Sequence, residues 1–128
     1  MIIDHIGFGV SNYDDAKRFY SEALGALGIV VVMEVGQEKT SDRACGFGRA
    51  GKPEFWIGEE GKSAPPLHIA FVATTRTEVD GFYKAALNAG AKDNGAPGVR
   101  AHYHPNYYAA FVLDRDGHNI EAVCHSPD

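Results

Sequence analysis

Two segments of the chain repeat the same pattern of apolar and polar positions, which indicates an internal duplication. A shift of 63 residues aligns the HIGF that begins at His5 with the HIAF that begins at His68. Over residues 5–26 this shift gives 8 identities in 22 positions, where chance supplies about one or two. The chain is therefore interpreted as two copies of one module.

Each copy begins with a short run that alternates around its histidine. In residues 3–10 the bulky side chains fall on one face of a strand, and His5 falls on the other face with two glycines. Residues 67–72 repeat the pattern around His68. The bulky face suits a layer of helices, and the histidine face with its small neighbours suits the wall of a cavity.

A helical stripe follows each of these strands. Apolar residues recur at helical spacing from Ala16 to Leu27 and again from Val79 to Gly90. Thr75 and Glu78 have the spacing of a capping box, and a Ser-Asn pair followed by two aspartates begins the first helix. The pattern predicts one helix in each module.

The remainder of each copy predicts strands. They lie at residues 29–35, 44–49, 54–58, 107–113 and 119–124. The last two are joined by Asp-Arg-Asp-Gly, a hairpin signal, and residues 94–106, rich in Gly and Pro, read as a loop or a weak strand.

The predicted element order is βαβββ, twice, in an α+β fold. We expect a single domain over residues 1–128, with a first module at 1–58, a linker at 59–66 and a second module at 67–128.

Composition narrows the class of function. The chain is 45% hydrophobic and 23% charged, which is typical of a folded globular protein, and its net charge of −5 offers no general attraction for nucleic acid or an anionic membrane. Cys45 and Cys124 lie in apolar runs and are expected as buried free thiols, which persist in reducing compartments. No apolar run approaches the roughly 18 residues of a spanning helix, and no signal peptide is recognised. We expect a cytoplasmic protein.

Three motifs carry a resemblance to a known family. DHIGFGV at residues 4–10, LHIAF at 67–71 and AAFVLDRDGHNIEAV at 109–123 resemble the vicinal oxygen chelate superfamily, which includes glyoxalase I, extradiol dioxygenases, fosfomycin thiol transferases and bleomycin-binding proteins. The resemblance covers the whole chain and implies two βαβββ modules that form a pair of half-barrels. Arg115 and His118 depart from the family's usual hairpin, and we interpret both as turn variation.

The resemblance also implies a metal site. The matching positions are His5, His68 and Glu121, which would hold one divalent ion, Fe, Mn, Ni or Zn. Strand parity supports this role for Glu121, because its side chain alternates with the apolar Ile120 and Ala122 and can enter the cavity. Two imidazoles and one carboxylate leave coordination positions for water or substrate.

Trp56 stands where glyoxalase I and several relatives carry a fourth protein ligand. An indole cannot ligate a metal, so the implied set has two histidines and one glutamate, more like the dioxygenases and fosfomycin thiol transferases. Two interpretations of Trp56 fit the sequence: a flat wall of the substrate pocket, or a simple packing residue.

The segment before the last hairpin offers further candidates. Extradiol dioxygenases carry a histidine that lines up with His104, but their acid-base tyrosine then falls on Phe111, which weakens a ring-cleaving reaction. His104 is interpreted as a proton shuttle or as a solvated loop residue. Tyr107 and Tyr108 are candidate substrate-binding residues, and in a strand only one of them faces the cavity.

Three functions fit these residues. The favoured one is a metal-dependent lyase or isomerase of glyoxalase type that acts on a small oxygenated metabolite, with Glu121 or His104 as the base. The alternatives are an Fe(II)-dependent dioxygenase of extradiol type, and a thiol transferase or antibiotic-binding resistance protein. Intact ligands argue against pure sequestration, because the bleomycin-binding relatives lack them.

The expected assembly is a homodimer. The family's modules pair across subunits, and a half-barrel leaves strand edges that a second copy can cover. A metal site within one chain and a site with ligands from two chains both fit the sequence.

Overall fold

The computed structural model describes residues 3–36, 38 and 42–127. Its elements, in chain order, are β1 (Ile6–Gly9), α1 (Tyr13–Gly25), β2 (Val30–Val35), β3 (Ala44–Gly48), β4 (Phe55–Gly58), β5 (His68–Val72), α2 (Arg76–Asn88), β6 (Lys92–Asp93), β7 (Gly98–Val99), β8 (Tyr108–Leu113) and β9 (Asn119–Cys124). One sheet has the order β1-β4-β3-β2 and the other β5-β9-β8-β6, with β7 also on β8. In both, the first strand of the module lies parallel to its last. The predicted α+β fold of two modules is confirmed.

The second module differs from the prediction in one strand. Where the first module has the continuous β2, the second has two short pieces, β6 and β7, both antiparallel to β8. Between them the Phe111 N–H still donates to the Gly95 carbonyl at 2.8 Å. Gly95 has a φ of 145°, and Pro97 lacks an N–H to give to a neighbouring strand. These two residues interrupt the strand and leave a loop beside the sheet.

Side-chain caps fix where the two helices begin. The Asn12 side chain accepts from the Asp15 N–H at 3.0 Å, and the Thr75 hydroxyl accepts from the Glu78 N–H at 3.1 Å. The Glu78 carboxylate in turn accepts from the N–H of Thr74 at 2.8 Å, one residue earlier than in a regular capping box.

The core lies on the helix side of both sheets. Most strand residues that face the helices are buried in both sheets: Phe8, Cys45, Phe47, Phe55, Ile57, Ile69, Val112, Ile120, Ala122 and Cys124. Both cysteines are free. The Phe55 and Phe71 rings, one from each sheet, lie 5.1 Å apart, so the two modules share this core.

The opposite face of each sheet is turned away from the helices, and we call it the open face. In the first sheet it carries Gly7, Gly46 and Trp56, and in the second it carries Phe111 and Glu121. Since the modules meet through their helix sides, neither open face is covered by the other module. Within the described residues, no helix has the length and apolar character needed to cross a membrane.

The hairpin between β8 and β9 joins the modules. Asp114 accepts hydrogen bonds from the Tyr20 hydroxyl of α1 and from the His118 N–H. Burial and the Asp114 carboxylate raise the pKa of Tyr20, which keeps its hydroxyl a donor. His118 is fully buried, accepts from the Leu67 N–H at 2.9 Å and packs on Phe8. The interpretation of His118 as turn variation is therefore wrong, because its ring fills the junction between the modules.

Candidate metal centre

A buried carboxylate lies at the middle of the second sheet's open face. Glu121 is 1% exposed, and β9 places it beside Ala70 of β5, whose small side chain leaves room above the sheet. The His68 Nε2 lies 2.8 Å from the Glu121 Oε1, and the Tyr107 hydroxyl donates to the Oε2. His68 and Glu121 therefore come together as the sequence predicts, and Tyr107 joins them.

Tyr107 is fixed by the loop that precedes β8. Its ring contacts those of Tyr103 and His125, with ring centres 5.0 and 5.2 Å away, and its carbonyl accepts from the Arg100 N–H at 2.7 Å. Burial, and after it the hydrogen bond to Glu121, raise the pKa of the Tyr107 hydroxyl, while the charge of Arg100 acts in the opposite direction. Tyr107 thus stays protonated and remains a donor to the carboxylate.

Tyr108 lies on the other side of the sheet. Its hydroxyl donates to the Asp80 carboxylate of α2 at 2.6 Å, and the Arg76 guanidinium covers its ring at 4.9 Å. The assignment of Tyr108 to the substrate pocket is corrected, because strand alternation turns it toward the helix layer. Tyr107 is the member of the pair that reaches the open face.

Among the described residues, no hydrogen bond or ion pair joins His104 to Glu121, as a base at this carboxylate would require. Its ring lies 5.4 Å from that of His125, which in turn contacts Tyr107. The His104 Nδ1 accepts from the Asn106 N–H at 3.0 Å. The contacts that link His104 to the carboxylate pass through the rings of His125 and Tyr107. Sequence reasoning did not select His125, although its position directly after β9 brings it to Tyr107.

His5 lies apart from His68 and Glu121 within one chain. It directly precedes β1, its ring is largely exposed, and its Nδ1 lies 2.7 Å from the Asp4 carboxylate. In the described parts of the chain, no group of three or more His, Cys, Asp or Glu side chains is arranged to hold a metal ion. One chain therefore brings together two of the three predicted ligands.

Trp56 lies on the open face of the first sheet, directly above two glycines. A Cβ at Gly46 would come within 2.8 Å of the Trp56 Cε2, and one at Gly7 within 2.9 Å of its Cβ. The indole thus rests on the main chain and stays partly exposed. By alternation it shares this face with His5.

We expect Trp56→Ala to lower the free energy of unfolding slightly and Phe55→Ala to lower it strongly. Phe55 is buried on the helix side, where loss of the ring costs about 3–5 kcal/mol of unfolding free energy, whereas the partly exposed Trp56 is expected to cost less than about 2 kcal/mol. Urea unfolding measures both, and metal titration of Trp56→Ala is expected to match the wild type. Equal destabilisation by the two variants, or loss of metal from Trp56→Ala, would contradict this placement.

One groove lies beside His68, and a larger cavity lies elsewhere. A groove of about 350 Å³ runs between the first sheet, at Ile6 and Glu54, and the second, at His68 and Val72. The larger cavity, about 440 Å³, lies on the helix side between α1, the end of α2 and the hairpin turn. Two of the cations that line it, Arg18 and Arg115, both contact Asp15. The smaller groove, which His68 lines, is the one next to the candidate ligands.

Comparison with known proteins agrees with this architecture. The family model described as Glyoxalase/Bleomycin resistance protein/Dioxygenase superfamily matches residues 2–122, and the chain belongs to this superfamily. The predicted family is thereby confirmed. No curated protein matches the sequence.

Solved structures extend the likeness. A glyoxalase/bleomycin resistance protein from Albidiferax ferrireducens T118 is 25% identical, with a TM-score of 0.77, over 97% of this chain and 98% of that one. A point mutant of the fosfomycin resistance protein FosX from Listeria monocytogenes, solved with Mn(II) and 1S,2S-dihydroxypropylphosphonic acid, is 19% identical, with a TM-score of 0.68 over 98% and 95% of the two chains. A point mutant of glyoxalase I from Zea mays is 18% identical, with a TM-score of 0.69 over 98% of this chain and 45% of that one. The last two likenesses establish the fold alone.

Proposed function

We propose that the protein is a metal-dependent enzyme of glyoxalase type, a lyase or isomerase that acts on a small oxygenated metabolite. The main observation that supports this proposal is the buried Glu121 carboxylate, of which one oxygen contacts His68 and the other contacts Tyr107. A carboxylate buried to this extent needs charge or hydrogen-bond compensation, and one imidazole with one phenol is a sparse set. A divalent cation at the exposed edge of this pair would complete it.

The donor atoms have suitable chemistry and spacing. Two ligands that bind one ion at right angles, each about 2.1 Å from it, lie about 3 Å apart, and the His68 Nε2 and Glu121 Oε1 are already 2.8 Å apart. Imidazole with carboxylate suits the first-row divalent metals. The Mn(II) in the FosX structure also supports a divalent ion here.

The third ligand is proposed to be His5 of a second copy of the chain. His5 is exposed, and β1 and β5 are edge strands of their sheets. Ile3, Ile6 and Val72, which flank these edges, are large apolar residues left exposed. A homodimer that covers these edges would bring His5 of one copy to His68 and Glu121 of the other.

The chain's own residues would divide the chemical work. A bound divalent ion would act as a Lewis acid toward adjacent oxygens of the substrate. Glu121 would accept the carbon-bound proton on its Oε2, which the Tyr107 hydroxyl holds in place. Trp56 would exclude water from one side of the substrate. His104 is not needed for this scheme.

Oxygenation is the second candidate, favoured by the donor set. Trp56 occupies the position of a fourth ligand, so two histidines and one glutamate remain, and this set suits ferrous iron with open positions. The absence of a tyrosine at Phe111 weighs against the ring-cleaving form of this chemistry.

Metal content tests the proposal. Protein purified without chelator, aerobically and anaerobically, is expected to carry about one divalent ion per chain, and His68→Ala is expected to lose it. His102→Ala, a change in the exposed loop, serves as the control and is expected to keep it. Nickel, zinc or manganese would support the lyase or isomerase, and iron the oxygenase. A wild-type protein that sediments as a monomer and takes up no divalent metal would refute the proposal.

A further inference from the structure

Arg100 places a cation on the same open face as the candidate ligands. Its Cζ lies 5.4 Å from the centre of the Phe111 ring, and the Phe111 ring centre lies 6.3 Å from that of His68. Phe111 is directly opposite Glu121 in the paired strands β8 and β9. The guanidinium, the phenyl ring and the two candidate ligands therefore form one continuous wall.

The interrupted strand makes room for this guanidinium. A Cβ at Gly98 would lie 3.0 Å from the Arg100 Nη1, and one at Gly95 would lie 3.2 Å from its Nη2. The Nη2 donates to the Ala96 carbonyl at 2.8 Å, while the Arg100 backbone N–H donates to Tyr107. The loop that holds Tyr107 against Glu121 thus also fixes the start of the Arg100 side chain.

The charge of Arg100 has no carboxylate partner among the described residues. A guanidinium has five N–H donors, and within that part of the chain the Ala96 carbonyl is the one hydrogen-bond acceptor that they reach. Arg18 and Arg43, by contrast, each bind carboxylates. Glu121 does not neutralise Arg100, since its oxygens face His68 and Tyr107. A half-buried cation that keeps free donors in a fork is suited to a carboxylate or a phosphate group.

We propose that Arg100 binds an anionic group of the substrate, so that the substrate is a small organic acid or phosphate ester. Its anionic end would lie on the guanidinium above Phe111, and its oxygen-bearing reactive end would lie at His68 and Glu121. The inference rests on the proposed function for the identity of this face as the active site. The cation itself is a separate feature, because Arg100 is neither a ligand nor a contact of the proposed ions.

The test compares two arginines that each stack on an aromatic ring. Arg100→Gln removes the cation on the open face, and Arg76→Gln removes the half-buried cation that covers Tyr108 on the helix side. The full-length protein, without added metal, is titrated with inorganic phosphate, acetate and neutral ethylene glycol at constant ionic strength. The Arg100 Nε–H resonance in nitrogen-15 NMR spectra reports binding to the wild type and to Arg76→Gln, and the backbone amide resonances around position 100 give the dissociation constants of all three proteins. Phosphate against acetate separates a tetrahedral from a planar anion.

We expect a saturable shift of the Arg100 resonance with at least one anion and none with ethylene glycol. Arg100→Gln is expected to raise the dissociation constant of that anion about tenfold or more. Arg76→Gln is expected to leave this constant within twofold of the wild-type value. No saturable anion binding in the wild type, or equal binding by wild type and Arg100→Gln, would overturn the inference. Metal uptake is measured separately on the same preparations, so its failure would refute the proposed function without deciding the role of Arg100.

Discussion

Metal binding is expected to return when a His5→Ala chain is mixed with a Glu121→Gln chain, although each variant alone has lost it. Each change removes a proposed ligand, and the loss should exceed the roughly 10- to 100-fold that an outer partner of a metal ligand contributes. If each site takes His5 from one copy and His68 with Glu121 from the other, a mixed dimer has one site with both changes and one intact site. Random exchange makes about half of the dimers mixed, so about one quarter of the sites should recover. Competition with a chelator of known affinity measures the recovery.

The control for this experiment is a mixture in which exchange cannot help. Glu121→Gln mixed with His68→Ala changes two ligands that lie 2.8 Å apart in the same chain. Every site in the mixed dimers then contains one changed ligand from this pair, and no recovery is expected. Sedimentation or mass spectrometry shows whether the chains have exchanged fully. If they have, and metal binding does not recover in the mixture that contains His5→Ala, then all three ligands lie in one chain or His5 is not a ligand.

Tyr107→Phe is expected to weaken metal binding about 10- to 100-fold, whereas Tyr108→Phe should not change it. Both variants lose one hydroxyl that donates to a carboxylate, Glu121 in the first case and Asp80 in the second. The first leaves an oxygen of a buried carboxylate without its donor, so the carboxylate loses its fixed orientation toward His68. The second affects a contact on the helix side.

Chelator competition gives the metal affinities of this neighbouring pair, and urea unfolding shows whether each variant still folds. The two changes remove the same atom from adjacent residues, so a general effect of losing a phenol would appear in both. Equal metal affinity for Tyr107→Phe and the wild type would mean that His68 alone orients Glu121.

The helices and the faces of the long strands could be predicted from the sequence. The helical spacing that starts at Ala16 includes the buried Phe19, Tyr20, Ala23 and Leu24 of α1, although it continues to Leu27, two residues beyond the end of the helix. Alternation around Ile120 and Glu121 gives the correct faces of β9. These patterns record burial on one side, which is the property that periodicity detects. The Asn12 cap fixes where α1 begins, which lies before the first residue of the apolar stripe.

The loop before β8 could not be predicted in the same way. Tyr107 and Arg100 lie outside regular strands, where alternation assigns no direction to a side chain. Their positions depend on tertiary contacts: the ring of His125 after β9, and the space that Gly95 and Gly98 leave for a guanidinium. A glycine-rich segment with one arginine signals a loop, and only the folded chain brings that arginine beside Phe111. His118 was misread for a similar reason, since its partner Leu67 belongs to another strand region.

The pair of glycines beneath Trp56 limits how the open face of the first sheet can change in shape. The surface under the indole is made of main-chain atoms, and no substitution can remove main chain to lower it. A side chain added at Gly7 would meet the Trp56 Cβ, and one added at Gly46 would meet Pro53 and the indole, in both cases at less than 3.0 Å. Variants that make room on this face must therefore shorten Trp56, and variants at the two glycines can only displace it.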